Sequence, residues 1–180
     1  MRMDARPSIR PVQDTPPLRF ALLALLAGAF IWLTSRSLPG VVASHFEADG
    51  YANGFTSRGA YVGLMLVIDA GLPTLLVTLT HFALGSPKAR INLPNRDYWL
   101  APERRAETVS YLRAHMTRFA GVLMAFLCYV HWLVVRANEV QPARLSSPWV
   151  NAGLAAFVVF AVVWTRMLLR RFRRKPGQPQ

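Results

Sequence analysis

The chain has 180 residues, 53% of them Ala, Val, Ile, Leu, Met, Phe, Trp, Tyr or Cys, and its 21 Lys and Arg against 9 Asp and Glu give a formal charge of +12. This apolar content excludes an intrinsically disordered or collagen-like chain, and a single cysteine, Cys128, excludes a disulfide framework or a Cys-rich zinc site within one chain. The positive charges flank apolar runs instead of forming a folded basic face, which sets nucleic acid aside as a partner.

Residues 1–17 are proline-rich and polar and read as a disordered cytoplasmic tail. The first apolar run, Phe20 to Ser35, is short for a hydrocarbon core of ~30 Å, but Arg36 can snorkel, so the span covers about residues 18–37. A cleaved signal peptide over residues 1 to about 37 is the competing reading, against which stands the lack of an A-x-A site after Leu33. The loop from Leu38 to Arg58 contains a β-prone run, Val41 to Phe46, and two turn signals, Asp49-Gly50 and Asn53-Gly54, so it should be an ordered cap. Ser57 is placed to cap the helix that starts near Arg58. His45, Glu47 and Asp49 alternate, and an extended strand would turn all three to one side, where they would hold a divalent cation or a cationic partner; a solvated loop is the plainer alternative.

The second span, about residues 59–84, carries a carboxylate. Its twelve Leu, Ile, Val and Phe residues favour insertion by roughly 4–7 kcal/mol, against about 2.5–3.5 for a central Asp, so insertion wins. Asp69 lies eleven residues after Arg58, roughly 16 Å deep and near the midplane. Pro73, four positions on, cannot donate to the Asp69 carbonyl, which predicts a kink there. A midplane ionisable group is read either as a proton relay, ion ligand or helix-pairing group, or as a protonated Asp packed for structure.

In the middle loop, Pro102 suits a first helical position, Glu103 suits the positive helix end, and Val109, Leu112, Met116 and Phe119 recur at helical spacing. An amphipathic helix should therefore lead into the third span, about residues 118–136. Tyr98 and Trp99 would sit at headgroup level, with Asp97 and Glu103 pairing with Arg96, Arg104 or Arg105, as a surface anchor or a docking site. His131 falls in the outer half of that span, where a direct pair with Asp69 would be strained, and Cys128, three residues earlier on the same face, is assigned to hydrophobic packing. The fourth span covers about residues 147–167. Aromatic residues Trp32, Tyr61, Tyr129, Trp132, Trp149 and Trp164 mark the span ends. Residues 170–180 form a basic tail expected to lie unfolded on anionic lipid.

Lys and Arg fall 17 against 4 on alternate segments, which places both termini and the middle loop in the cytoplasm. The predicted fold is all-α: a four-transmembrane-helix bundle over residues 18–169, with a small ordered extracytoplasmic loop and a cytoplasmic amphipathic helix.

Two blocks carry a family resemblance. The first is Leu38-Pro39, Val42, His45-Phe46, Gly50, Asn53-Gly54 and Ser57-Arg58; the second runs from Asn95 through Asp97, Tyr98, Trp99, Pro102, Glu103 and Arg104 to Arg105. The chain resembles the DUF1648 family of bacterial multi-pass membrane proteins, whose better-studied relatives are SdpI-like. That resemblance implies a four-helix unit in the bacterial cytoplasmic membrane. It also implies a sensor, immunity-type or signalling role, of the kind in which longer SdpI-like chains resist a secreted peptide toxin and hold a repressor at the membrane. No toxin-binding or repressor-binding residue carries over. Partners would then be the bilayer, an envelope peptide and a cytoplasmic regulator. The alternative is a proton- or ion-coupled transport component using Asp69, working as a homo-oligomer because four helices enclose little pathway. Neither a nucleophile triad, a phosphate-cradling glycine loop nor an HExxH motif is found, so no enzyme and no cofactor is expected.

Overall fold

The computed structural model describes residues 16–86 and 91–173; the expectations for residues 1–15 and 174–180, and for Lys88 and Arg90, lie outside the described residues. α1 (Pro16–Thr34) runs into a 3-10 turn, Ser35–Ser37. β1 (Val41–Phe46) and β2 (Ala52–Ser57) then pair as an antiparallel hairpin. α2 (Arg58–Leu66) starts where expected, because the Ser57 hydroxyl accepts from the Ala60 N–H at 3.3 Å and satisfies one of the free donors of the first turn. It continues through a π turn, Val67–Gly71, into α3 (Leu72–Gly85). After one short helical turn, α4 (Arg96–Trp99), come α5 (Pro102–Ala137) and α6 (Ser147–Arg173).

Among the described residues, four helical segments are long and apolar enough to cross a membrane: Leu18–Ser37, Arg58–Gly85, Pro102–Ala137 and Ser147–Arg173. The chain is a multi-pass membrane protein by this measure. At 1.5 Å per residue α5 is about 54 Å long, more than a hydrocarbon core needs, so its polar first turns project beyond it. A π turn, Val67–Gly71, lies where the kink is expected. Pro73 has no N–H for the Asp69 carbonyl, and the helix widens just ahead of it while keeping right-handed backbone angles at Leu66 and Leu72. Nearby, the Thr74 hydroxyl donates to the Ala70 carbonyl at 2.6 Å.

α5 is the centre of the bundle, packed between α1 and α3, with the π turn touching both α1 and α5. α1 and α5 come close where Gly121 faces Leu23 of α1 and where the small residues Ala27 and Ala120 are buried, whereas Gly28 faces Leu66 of α2. α6 packs mainly on α5, and no residue of its apolar window is buried among the described residues. The main apolar cluster, with Ile31, Val42, Tyr61, Met65, Val134 and Val135, sits where the hairpin closes the helix ends.

The hairpin turn lies at Glu47–Gly50, closed by Gly50 N–H to the Glu47 carbonyl at 2.9 Å and by Tyr51 N–H to Asp49 Oδ1 at 3.0 Å. The expected second turn at Asn53-Gly54 is instead inside β2. Pairing jumps from Ala43–Phe55 to His45–Gly54 to Phe46–Ala52, so Ser44 and Asn53 are the extra residues of two opposed bulges. Gly54 is needed for another reason: a Cβ there would stand 2.9 Å from the Cβ of His45. The tail boundaries also move, because residues 16–17 and 170–173 are helical rather than unstructured.

Both non-helical connections meet at this end. Asn138, just past α5, works as a strand partner for β1: its Oδ1 accepts from Ala43 N–H at 2.9 Å and its Nδ2 donates to the Ala43 carbonyl at 3.0 Å. The α5–α6 connection adds Leu145 N–H to the Gly50 carbonyl at 2.8 Å, and Arg144 stacks over Tyr51. Gly50 has φ +89°, and a Cβ there would overlap the Leu145 carbonyl oxygen. Gly50→Ala is therefore expected to destabilise the protein by about 1–3 kcal/mol. Gly40→Ala, with open space around it, should stay within about 0.5 kcal/mol. Thermal unfolding in detergent would check both.

Candidate functional site

Two of the buried polar groups, His131 and Asp69, are treated differently by the helices around them. His131 is fully buried. Its Nε2 lies 2.8 Å from Thr34 Oγ1 and its Nδ1 lies 3.0 Å from the Tyr61 hydroxyl. The Thr34 hydroxyl proton is already donated to the Phe30 carbonyl at 2.7 Å, so Thr34 must accept from His131 and Nε2 must carry the hydrogen. Nδ1 is then the acceptor for Tyr61. The order is fixed: Tyr61 to His131 to Thr34 to the Phe30 carbonyl, one neutral chain joining α2, α5 and α1. Tyr61 also stacks on the imidazole at 5.7 Å between ring centroids, and Phe30 meets its edge at 6.1 Å.

One expectation is corrected: Tyr61 is buried in the bundle and does not mark an interface. His131 makes no pair with Asp69, in keeping with the strain such a pair would carry, and both its nitrogens have other partners. Asp69, in the π turn, is fully buried as well. Its Oδ2 accepts from the Cys128 thiol at 3.0 Å, so Cys128 is a hydrogen-bond partner and not merely packing. Its Oδ1 has no hydrogen-bond partner among the described residues. Pro73, also buried, follows the π turn.

Cys128, His131, Val135 and Asn138 follow one another at three- and four-residue steps, so they form a single stripe along α5. That stripe touches the carboxylate, the neutral polar chain, the apolar cluster and the hairpin in turn.

The hairpin residues are mostly structural. Leu38 is buried, Phe46 packs against the apolar cluster, and Arg58 Nη1 donates to the Leu38 carbonyl at 3.2 Å. Pro39 is exposed. His45 faces Gly54 across the strands, whereas Glu47 accepts from Asn53 Nδ2 and Asp49 holds the turn. The expected line of His45, Glu47 and Asp49 fails because the strand ends at Phe46, and no group of three metal-ligating side chains gathers among the described residues.

At the opposite end the second block grips α6. Asn95, in a left-handed conformation at φ 52°, donates from Nδ2 to the carbonyls of Phe172 and Arg173 at 3.1 and 3.0 Å, and Trp99 Nε1 donates to the Phe172 carbonyl at 2.9 Å. These side chains satisfy carbonyls that a helix end leaves free. Thr108 Oγ1 in turn donates to the Trp99 carbonyl at 2.8 Å. Phe172 is buried between Trp99 and Tyr111, and Arg171 stacks on Tyr111 and pairs with Glu107. Pro102 and Glu103 occupy the first turn of α5 as expected. Arg104 stacks over Tyr98 at 4.1 Å, and Asp97 pairs only with its exposed neighbour Arg96. Above this clasp an aromatic seam, including His115 on Trp164 at 4.3 Å and Phe126 on Phe157 at 4.4 Å, joins α5 to α6.

Compared with family models, curated proteins and solved structures, the chain finds no match.

His131→Leu is expected to cost about 1–3 kcal/mol by stranding the buried Tyr61 hydroxyl, and adding Tyr61→Phe should restore part of that loss. Equilibrium unfolding of the two single variants and the double variant would measure the recovery. Trp99→Phe keeps the ring but removes one N–H, at a cost of about 1 kcal/mol; hydrogen exchange should quicken in the last turns of α6 while α1–α3 stay unchanged.

Proposed function

We propose that this protein is a short, SdpI-like membrane protein of the DUF1648 kind, acting as a sensor or immunity-type component of the bacterial cytoplasmic membrane. Both termini and the connection before α5 face the cytoplasm, and the hairpin faces outward to meet an envelope peptide. A cytoplasmic regulator receives the event at the inner end. The observation that carries this reading is the α5 stripe. Asn138 joins the outer hairpin to the same helix face that holds His131 and Cys128, so a displacement of the hairpin is felt at buried Asp69. The π turn that carries Asp69 is an irregular element of the kind that recurs at functional sites.

A second reading, proton- or ion-coupled transport, is favoured by one feature, the unpartnered Oδ1 of buried Asp69. The two make opposite predictions. For a sensor, deletion sensitises the host to a secreted peptide toxin, and proximity labelling from the C-terminus captures a regulator whose yield falls severalfold in Asn138→Ala at equal membrane level. Purified protein in proteoliposomes then carries no proton or sodium flux above empty vesicles. Flux present in the wild type and lost in Asp69→Asn would overturn sensing in favour of transport.

A further inference from the structure

α6 carries a shallow, open groove of about 430 Å³ beside its seam with α5, lined by Phe157, which stacks on Phe126 of α5, and by Val158, Ala161, Val162, Thr165 and Arg166. Five of its walls are apolar or bear only a hydroxyl, and the charge lies at one end. Arg166 stands nineteen residues after Ser147, so about 28 Å along the helix, which sets its guanidinium near the far headgroup level, while the groove from Phe157 to Arg166 runs about 14 Å through the adjoining half of the hydrocarbon. Arg170 and Arg173 follow at four- and seven-residue steps and therefore continue the same face. All three are exposed, and none forms an ion pair among the described residues. Arg171, one position off this face, is by contrast engaged by Glu107 and Tyr111.

An apolar channel that ends in a hydroxyl and a row of unpaired guanidiniums matches one ligand chemistry: a phosphate attached to an acyl chain. Guanidinium groups bind phosphate oxygens through paired hydrogen bonds, which a lysine cannot reproduce. We propose that this face of α6 is a binding site for one anionic phospholipid, its acyl chain in the Phe157–Val162 groove and its phosphate held by Thr165 and Arg166, with Arg170 and Arg173 adding attraction. The site goes beyond attraction of anionic lipid to a basic tail, because it requires the chain and the headgroup to be bound together. It is independent of the sensing role.

The full chain in phosphatidylcholine nanodiscs doped with phosphatidylglycerol, analysed by native mass spectrometry, should retain phosphatidylglycerol preferentially. Arg166→Gln is expected to cut that retention roughly fivefold, as one arginine near a membrane surface contributes about 1 kcal/mol. Arg166→Lys should lose part of it, and Val162→Trp, which fills the groove at unchanged charge, should also reduce it. Arg144→Gln, at the hairpin end, should leave it unchanged. Equal retention of phosphatidylcholine, no effect of both Arg166→Gln and Val162→Trp, or full displacement by inorganic phosphate would each overturn the proposal. So would disulfide-linked dimers formed through Val158→Cys, which would show a second copy seated in the groove.

Discussion

The bundle depends on what a membrane-spanning helix can do with a buried polar side chain. Water is absent from the hydrocarbon core, so each such group must find its partner on a neighbouring helix or remain without one. His131 meets this constraint completely. The Thr34 proton is committed to the Phe30 carbonyl, which fixes the tautomer of His131 and then the direction of the Tyr61 hydroxyl. One choice of rotor therefore orders contacts among three helices. Small residues where α1 meets α5 let those helices approach closely enough for the chain to close.

The ends of the bundle solve a related problem with different residues. At the hairpin end, the unpaired edge of β1 is covered by the Asn138 amide, and the α5–α6 connection reaches the backbone of Gly50. At the other end, Asn95 and Trp99 supply the donors that the last carbonyls of α6 lack. α6 is thus held by an aromatic seam and by both of its ends, while its outer face meets no other part of the chain. A helix attached in this way presents to its surroundings whatever its outer residues prescribe, which is why the alignment of Arg166, Arg170 and Arg173 carries weight.

What the sequence disclosed was local. Twenty-residue apolar runs, the Ser57 cap, the β-prone Val41–Phe46 run and Pro102 at a helix start all act through neighbours a few positions away, and each is found in the structure. The interior was less legible because its pairs are distant in sequence: Tyr61 and Thr34 lie 70 and 97 residues from His131. Cys128 was assigned to packing because nothing local identifies a carboxylate 59 residues away. Asn53-Gly54 misled for another reason. That pair favours a tight turn, but it also suits a bulge, and the Glu47–Gly50 turn, fixed by Asp49 and the contact with Leu145, decides the register. A helical wheel extended past the third span to Asn138 would have exposed the α5 stripe from sequence alone.

Asp69 gives the bundle a chemical asymmetry. It shares a helix face on α5 with the satisfied His131 only through Cys128, a weak donor, and its second oxygen has no partner among the described residues. Burial makes such a group costly, and the π turn that carries it is the least regular stretch of the second span. A purely structural carboxylate would gain from a stronger donor, which a serine or asparagine in place of Cys128 would provide. A weak donor and an open oxygen instead leave the group responsive to small movements of α5. The hairpin at the other end of the same stripe is then mechanically connected to a buried carboxyl group whose partners among the described residues are incomplete.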